Sequence, residues 1–222
     1  MSAKILENKD LLIVWSHYID GYEVIRVKDK TIKEVVVPDG VKAIYDYAFD
    51  FCRNLESVKL PESLKQIGEC AFINCKNLES ITLPKNIESI AGGAFYGCKN
   101  LRKIIIPNSV ETIGDRAFTH CHNMESITLP KNIGKVAQGA FYGCKNLKEI
   151  NIPEGLKQID QDAFVNCESL EIITLPKSIE SIAGSAFYGC ENLKEINIPE
   201  GVKTIKEGVF SNCISLETVK LP

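Results

Sequence analysis

The sequence predicts a repeat solenoid: a stack of short coils around one continuous core, with one half-buried strand contributed by each coil. Three observations carry this prediction. All nine prolines, Pro38, Pro61, Pro84, Pro107, Pro130, Pro153, Pro176, Pro199 and Pro222, fall 23 residues apart without insertion or deletion, and self-similarity at such a period marks stacked-repeat architecture. Apolar residues keep fixed phases within the unit: Ile87, Ile90, Ala94, Phe95, Cys98, Leu101, Ile104 and Ile106 recur with conservative swaps in the other seven copies. Each copy also ends in a period-two alternation, as in Leu78 to Leu83, where Ile81 and Leu83 face inward and Ser80 and Thr82 outward. That is the pattern of a half-buried strand.

The first 37 residues depart from the repeat. Two extended runs, Leu11 to Trp15 and Tyr22 to Val27, flank Asp20-Gly21, a hairpin-type turn signal. Residues 1 to about 31 are expected to cap the stack, with Trp15 covering the open end of the first coil's core, because solenoid ends need such a cover. Ile32 to Val37 matches the strand phases of a half repeat. Residues 1–37 therefore form a β-hairpin cap with a half repeat, and residues 38–222 form eight repeats of a single continuous domain.

Within each repeat the proline ends the strand, since it cannot donate to a ladder and fixes its own φ. The following segment, such as Ile87 to Ile90, is too short for a helix and predicts a second extended rung. The Ala-Phe-x-x-Cys segment predicts a tight helical or 3₁₀ turn. Phe49, Phe72, Phe95, Phe118, Phe141, Phe164, Phe187 and Phe210 share one phase, each after a small residue, and predict an aromatic spine. Asn54, Asn77, Asn100, Asn123, Asn146, Ser169, Asn192 and Ser215 stand two residues past each cysteine. A turned-in amide or hydroxyl there would satisfy backbone groups of adjacent coils.

The pattern Leu-Pro-x-x-Ile-x-x-Ile-x-x-x-Ala-Phe-x-x-Cys-x-x-Leu-x-x-Ile-x-Ile resembles the BspA-like, or Treponema-type, leucine-rich repeats over Pro38 to Pro222. The resemblance implies a curved leucine-rich-repeat superhelix with the parallel sheet on its concave face. It also implies a surface or secreted protein that binds host or matrix proteins. No signal-peptide segment is read in the chain, so a cytoplasmic location stays open beside the surface location that the resemblance implies.

The copies fall into two kinds. The third, fifth and seventh begin Pro-Lys and carry Ala-Phe-Tyr-Gly-Cys, so the true period is 46 residues. Charges mix along two columns: Lys33, Glu56, Glu79, Arg102, Glu125, Lys148, Glu171, Lys194 and Glu217 before the strand, and Glu62, Lys85, Asn108, Lys131, Glu154, Lys177 and Glu200 after the proline. Opposite charges one coil apart attract, so these columns read as register and solubility devices.

A net charge of −3 and a 45% apolar fraction fit one elongated domain. Lysines are dispersed among acids along the chain, and the basic stripe expected of a nucleic-acid partner is missing. No 18-residue apolar run exists, so no membrane insertion is expected. Eight of the nine cysteines sit at one repeat phase and read as buried free thiols. Cys70 is off phase and is the expected exposed thiol. His120-Cys121-His122 has the look of metal ligands, but Cys121 belongs to the inward column. Asp160 and Asp162 lack an acid or nucleophile partner, and Gly92, Gly93 and Gly97 lack the Gly-Lys-Ser/Thr end of a phosphate loop. The expectation is a protein that is not an enzyme and uses no cofactor or metal.

The function expected is a non-enzymatic protein-binding module, adhesin-like, that presents its concave sheet to a protein partner. An architectural spacer within a larger protein and a carbohydrate-binding module are the alternatives. Outward strand positions are mostly short and polar, but Ile105 and Ile172 are not. They are either ordinary strand formers or interface anchors, with Lys103 and Glu149 setting the charge match and Asn151 and Thr174 beside them. Tyr96, Tyr142 and Tyr188, 46 residues apart, predict a row about 10 Å apart on one flank, either packed over the turn or forming a second contact surface. The chain ends on a repeat boundary at Leu221-Pro222. The expectation there is a following segment or self-association through the open edge of the last coil.

Overall fold

In the computed structural model, which describes residues 5–222, the 23-residue spacing becomes one coil of the stack. Three strands form the cap: β1 (Ile5–Leu6), β2 (Leu11–Ser16) and β3 (Gly21–Val27), all antiparallel. The coils then contribute strands alternately to two ladders. In chain order these are β4 (Glu34–Val36), β5 (Val41–Ile44), β6 (Ser57–Lys59), β7 (Gln66–Ile67), β8 (Ser80–Thr82), β9 (Ser89–Ile90), β10 (Lys103–Ile105) and β11 (Thr112–Ile113). The second half continues with β12 (Ser126–Thr128), β13 (Lys135–Val136), β14 (Glu149–Asn151), β15 (Gln158–Ile159), β16 (Ser181–Ile182), β17 (Glu195–Asn197) and β18 (Thr218–Lys220).

The strands before each proline make the concave face. β4 pairs with β6, β8 to β14 run as four parallel neighbours, and β17 pairs with β18. Ile172 joins this face through a single parallel bridge to Glu195. Register is one repeat per step: Lys103 lies opposite Ser80 on one side and Ser126 on the other. The rungs after each proline make the other ladder. It extends the cap hairpin through β5, β7, β9 and β11, stops, and resumes as β13, β15 and β16. Strands stay short because each proline closes a turn, as where Ile87 N donates to Pro84 O at 3.2 Å.

The core runs unbroken from Leu11 in the cap to Val209 in the last coil. The phenylalanines form its axis, with successive centroids 4.9 to 5.9 Å apart and planes within 9° of parallel. Parallel rings at that separation are slid past one another, the offset geometry that aromatic quadrupoles favour. Beside them the cysteines do more than fill space. Each thiol from Cys75 to Cys213 donates to the carbonyl of the phenylalanine 26 residues earlier, at 3.1 to 3.2 Å. A small side chain with a weak donor meets both demands of that position. All nine cysteines are free, and Cys213, on the last coil, is only half-buried.

Three local expectations need correction. The Ala-Phe-x-x-Cys segment is not a helical or 3₁₀ turn. Alternate N–H groups close turns within the coil, as Tyr96 N to Gly93 O at 2.9 Å, while the others, such as Phe95 N to Ala117 O at 2.8 Å, cross to the next coil. Two left-handed residues per coil enforce this alternation: Gly93 and Gly97 in one coil, Arg116 and His120 in the next. The asparagine row is not turned in toward the backbone. Asn100 N itself reaches Lys76 O at 3.1 Å, and the amides bond one another along the surface, Asn123 to Asn100 at 3.2 Å and Asn146 to Asn123 at 3.4 Å. Finally, Leu11, Ile13, Val24 and Val27 close the core at the cap. Trp15 sits near the hairpin turn instead, half-buried and edge-on to Tyr22 at 5.1 Å.

The left-handed positions also explain the 46-residue period. At the second of them the residues run Phe51, Asn74, Gly97, His120, Gly143, Asn166, Gly189, Asn212, all with φ between 56° and 71°. From Asn74 on, side chains alternate with glycines, and each side chain lies over the glycine of the following coil. A Cβ on Gly97 would fall 2.5 Å from Asn74 Oδ1, and one on Gly143 would fall 2.5 Å from His120 Nδ1.

Candidate functional site

The concave face presents the outward residues of eight short strands. Ile105 is 65% exposed and Ile172 63%, against a background of threonine, serine, asparagine and charged neighbours. Ile105 stands between Thr82 and Thr128 in register. Glu149, Asn151, Ile172 and Thr174 line a shallow concavity of about 900 Å³ together with Ser126 and Lys148. It lies where the ladder stops at β14 and resumes at the Ile172 bridge. Lys103 and Ile105 are on β10, one strand beyond β12, and do not line it. The two isoleucines are thus separate features of one face.

The tyrosine flank carries a residue between the spaced tyrosines that the sequence reading does not include. His120 occupies the interval between Tyr96 and Tyr142, edge-on to both at 5.6 and 5.4 Å. It fits there because Gly97 and Gly143 lie on the coils either side. Tyr188 stands apart, its hydroxyl accepting from Asn212 Nδ2 at 2.7 Å. Tyr96 and Tyr142 border a hollow of about 280 Å³ over Gly139, flanked by Arg116 and Asp162.

Charged columns supply part of the register. Lys33–Glu56 and Lys194–Glu171 pair at 3.3 Å before the strands, and Lys65–Glu88 and Lys157–Glu180 pair across the second ladder at 2.9 and 2.6 Å. The column after the prolines forms no ion pairs among the described residues; there Lys131 N donates to Asn108 Oδ1 at 3.0 Å. Exposed pairs of this kind contribute only about 0 to 1 kcal/mol each.

One column was hidden by the linear order of the chain. Arg53, Lys76, Lys99, His122 and Lys145 occupy one phase on five successive coils. They are separated in sequence by acids that belong to other phases. Reading the sequence down its 23-residue register, instead of along it, would have found this stripe. Two unit charges about 5.5 Å apart in water repel by about 0.8 kcal/mol. Lys145 is relieved by Glu168 at 2.7 Å and Arg53 lies over the Phe51 ring at 5.7 Å. Among the described residues, Lys76 and Lys99 have neither an ion pair nor a side-chain hydrogen bond. Burial, then the nearby Lys99 and Lys145, hold the His120 imidazole below its ordinary value, and burial with Lys99, His120 and Lys145 does the same to His122.

The remaining chemical candidates serve structure. Cys121 donates inward to Phe95 O at 3.2 Å, and His120 and His122 meet edge to face at 5.5 Å. Asp160 is tied to Lys135 at 2.8 Å and to Gln158, and Asp162 accepts from Gln161 at 3.4 Å. No helix of the described residues is long and apolar enough to cross a membrane.

Comparison with known proteins places this geometry. No curated protein matches the sequence. Among solved structures, the T. pallidum leucine-rich repeat protein TpLRR is 30% identical with a TM-score of 0.80, over 86% of this chain and 91% of that one. A leucine-rich repeat protein from Bacteroides ovatus is 28% identical with a TM-score of 0.80, over 97% of this chain and 70% of that one. The pneumococcal vaccine antigen PcpA is 28% identical with a TM-score of 0.53, over 86% of this chain and 60% of that one. The family model for the BspA type leucine rich repeat region, in six copies, matches residues 27–137 and 111–222. With that match spanning all eight coils, the chain belongs to the BspA-type leucine-rich repeat family.

Proposed function

We propose that this chain is a non-enzymatic, adhesin-like surface module that binds a protein partner on its concave sheet. The observation that carries the proposal is the character of that face: short polar side chains around two widely exposed isoleucines, Ile105 and Ile172, beside a 900 Å³ concavity. Burying such anchors is what concentrates binding energy in protein interfaces. Lys103 beside Ile105, and Glu149, Asn151 and Thr174 around Ile172, supply the polar surround. The similarity to a pneumococcal vaccine antigen supports the surface role.

The test is capture from the native milieu by the purified chain, read by mass spectrometry. Ile105→Glu with Ile172→Glu is expected to abolish capture while leaving stability within about 1 kcal/mol, as surface changes do. Unchanged capture by the double variant would move the interface to the flank of Tyr96, Tyr142 and Tyr188.

A further inference from the structure

Five consecutive coils place a cation or an imidazole at one phase: Arg53, Lys76, Lys99, His122 and Lys145. The aromatic spine sets successive coils 4.9 to 5.7 Å apart along this segment, so the row follows the stack at one residue per coil. The charged columns before the strand and after the proline mix signs; this one carries no acid until Glu168 and Glu191 follow Lys145. Immediately beside it runs the asparagine row, whose Asn100, Asn123 and Asn146 amides are chained by hydrogen bonds and ordered along the same line. A cationic row backed by amide donors and acceptors is the chemistry that grips a chain of anions and hydroxyls.

From this arrangement we infer that the turn flank bearing Arg53, Lys76, Lys99, His122 and Lys145 binds a linear sulfated polysaccharide laid along the solenoid axis. Such a polymer is extended and carries acidic groups ring by ring, so it can meet cations on successive coils. Duplex DNA follows its phosphates around a helix with a rise of about 3.4 Å per strand, which a row along the solenoid axis meets only briefly. Single-stranded nucleic acid gains its affinity from open aromatic faces, whereas here Tyr96, His120 and Tyr142 are packed edge-on against one another. The interaction uses a different face from the concave sheet and does not depend on a protein partner being bound there.

The experiment measures fluorescence anisotropy of a labelled heparin oligosaccharide with the purified full chain, across a salt series. Binding is expected, weakening as salt rises, with no binding by the fully desulfated oligosaccharide. Counterion release gives a linear polyanion a salt exponent of about 0.7 per neutralised charge, so Lys76→Gln with Lys99→Gln and Lys145→Gln should weaken binding about 100-fold at about 0.1 M salt. Glu168→Gln, which frees Lys145, should tighten it, and Lys103→Gln on the concave face should leave it unchanged. Acidification from about pH 7.5 to about pH 5 should also tighten binding by the wild-type chain, because His122, held below its ordinary value by burial and by Lys99, His120 and Lys145 against the opposing Glu168, gains its proton in that window. The Glu168→Gln and pH arms decide the matter if the triple variant fails to fold. No binding, equal binding of the desulfated oligosaccharide, an unchanged triple variant, or absence of both the Glu168→Gln and the pH effects would overturn the inference. Tighter binding of single-stranded poly(dT) than of heparin would overturn it in favour of a nucleic-acid stripe.

Discussion

The alternation of side chain and glycine at the left-handed positions predicts a specific energetic coupling between His120 and Gly143. In Gly143→Ala the new methyl group meets two separate difficulties. Its φ of +69° is the left-handed region, which costs an L-residue about 1 to 2 kcal/mol, offset by about 0.4 to 1 kcal/mol of lost unfolded-state entropy. The net backbone effect is about 1 kcal/mol. The methyl also falls 2.5 Å from His120 Nδ1 and 3.1 Å from Cε1. His120 cannot move aside freely because Tyr96 and Tyr142 hold it edge-on from both sides. Displacing it forfeits part of two ring contacts worth about 0.5 to 1.5 kcal/mol each. Gly143→Ala should therefore cost about 2 to 3 kcal/mol in the wild-type chain, but only about 1 kcal/mol in a His120→Gly background. Urea unfolding of the four proteins, followed by circular dichroism, reads the coupling as a difference of midpoints at equal m-value. Independent sites add within about 0.3 to 0.5 kcal/mol. An equal cost of Gly143→Ala in both backgrounds would refute the packing account of the 46-residue period.

Two further predictions concern the core. Phe118→Ala removes a fully buried ring stacked on Phe95 at 5.5 Å and Phe141 at 5.7 Å, and should cost about 4 kcal/mol in a denaturant titration; a loss under about 1.5 kcal/mol would mean that the spine does not carry the stability assigned to it. In native alkylation, half-buried Cys70 should react first and Cys213 second, with the other seven thiols silent until unfolding. Burial raises the thiols of Cys98, Cys121 and Cys167 well above the ordinary value and pushes Cys144 up to about 12, which starves them of thiolate. Rapid modification of a third native thiol, or an intact mass lacking a pair of hydrogens, would contradict this.

The repeat made most of the fold legible. Proline spacing, the Phe column and the strand alternation each constrain the same coil, and one coil that agrees at every level is repeated eight times. What escaped the sequence was whatever depends on the direction of a bond or on distance across coils. The Asn100 amide and its backbone N–H are equally polar on paper, and only the coil geometry shows that the backbone bonds Lys76 O while the amide turns to its neighbours. Likewise Cys98 reads as a small hydrophobe, and its bond to Phe72 O at 3.1 Å emerges only when residues 26 apart are adjacent. The tyrosine row was legible as a spacing but its filling was not: the intervening coil's residue at the left-handed phase, His120, points into the gap. For the candidate concave site, the exposure of Ile105 and Ile172 was legible from period two alone. That they belong to separate parts of the face was not, because nothing local in sequence encodes the interruption after β14.

The same pairing of side chain and glycine limits how such a chain can lengthen. Copying one 23-residue coil from this part of the stack would set two glycines, or two bulky left-handed residues, one above the other, leaving a gap or a collision on that flank. Copying two coils together preserves the alternation at both junctions. Growth and loss in this lineage should therefore proceed in units of 46 residues, and an added pair would lengthen the concave face, the spine and the cationic row by matching amounts. A chain of this type can change its reach without redesigning any coil.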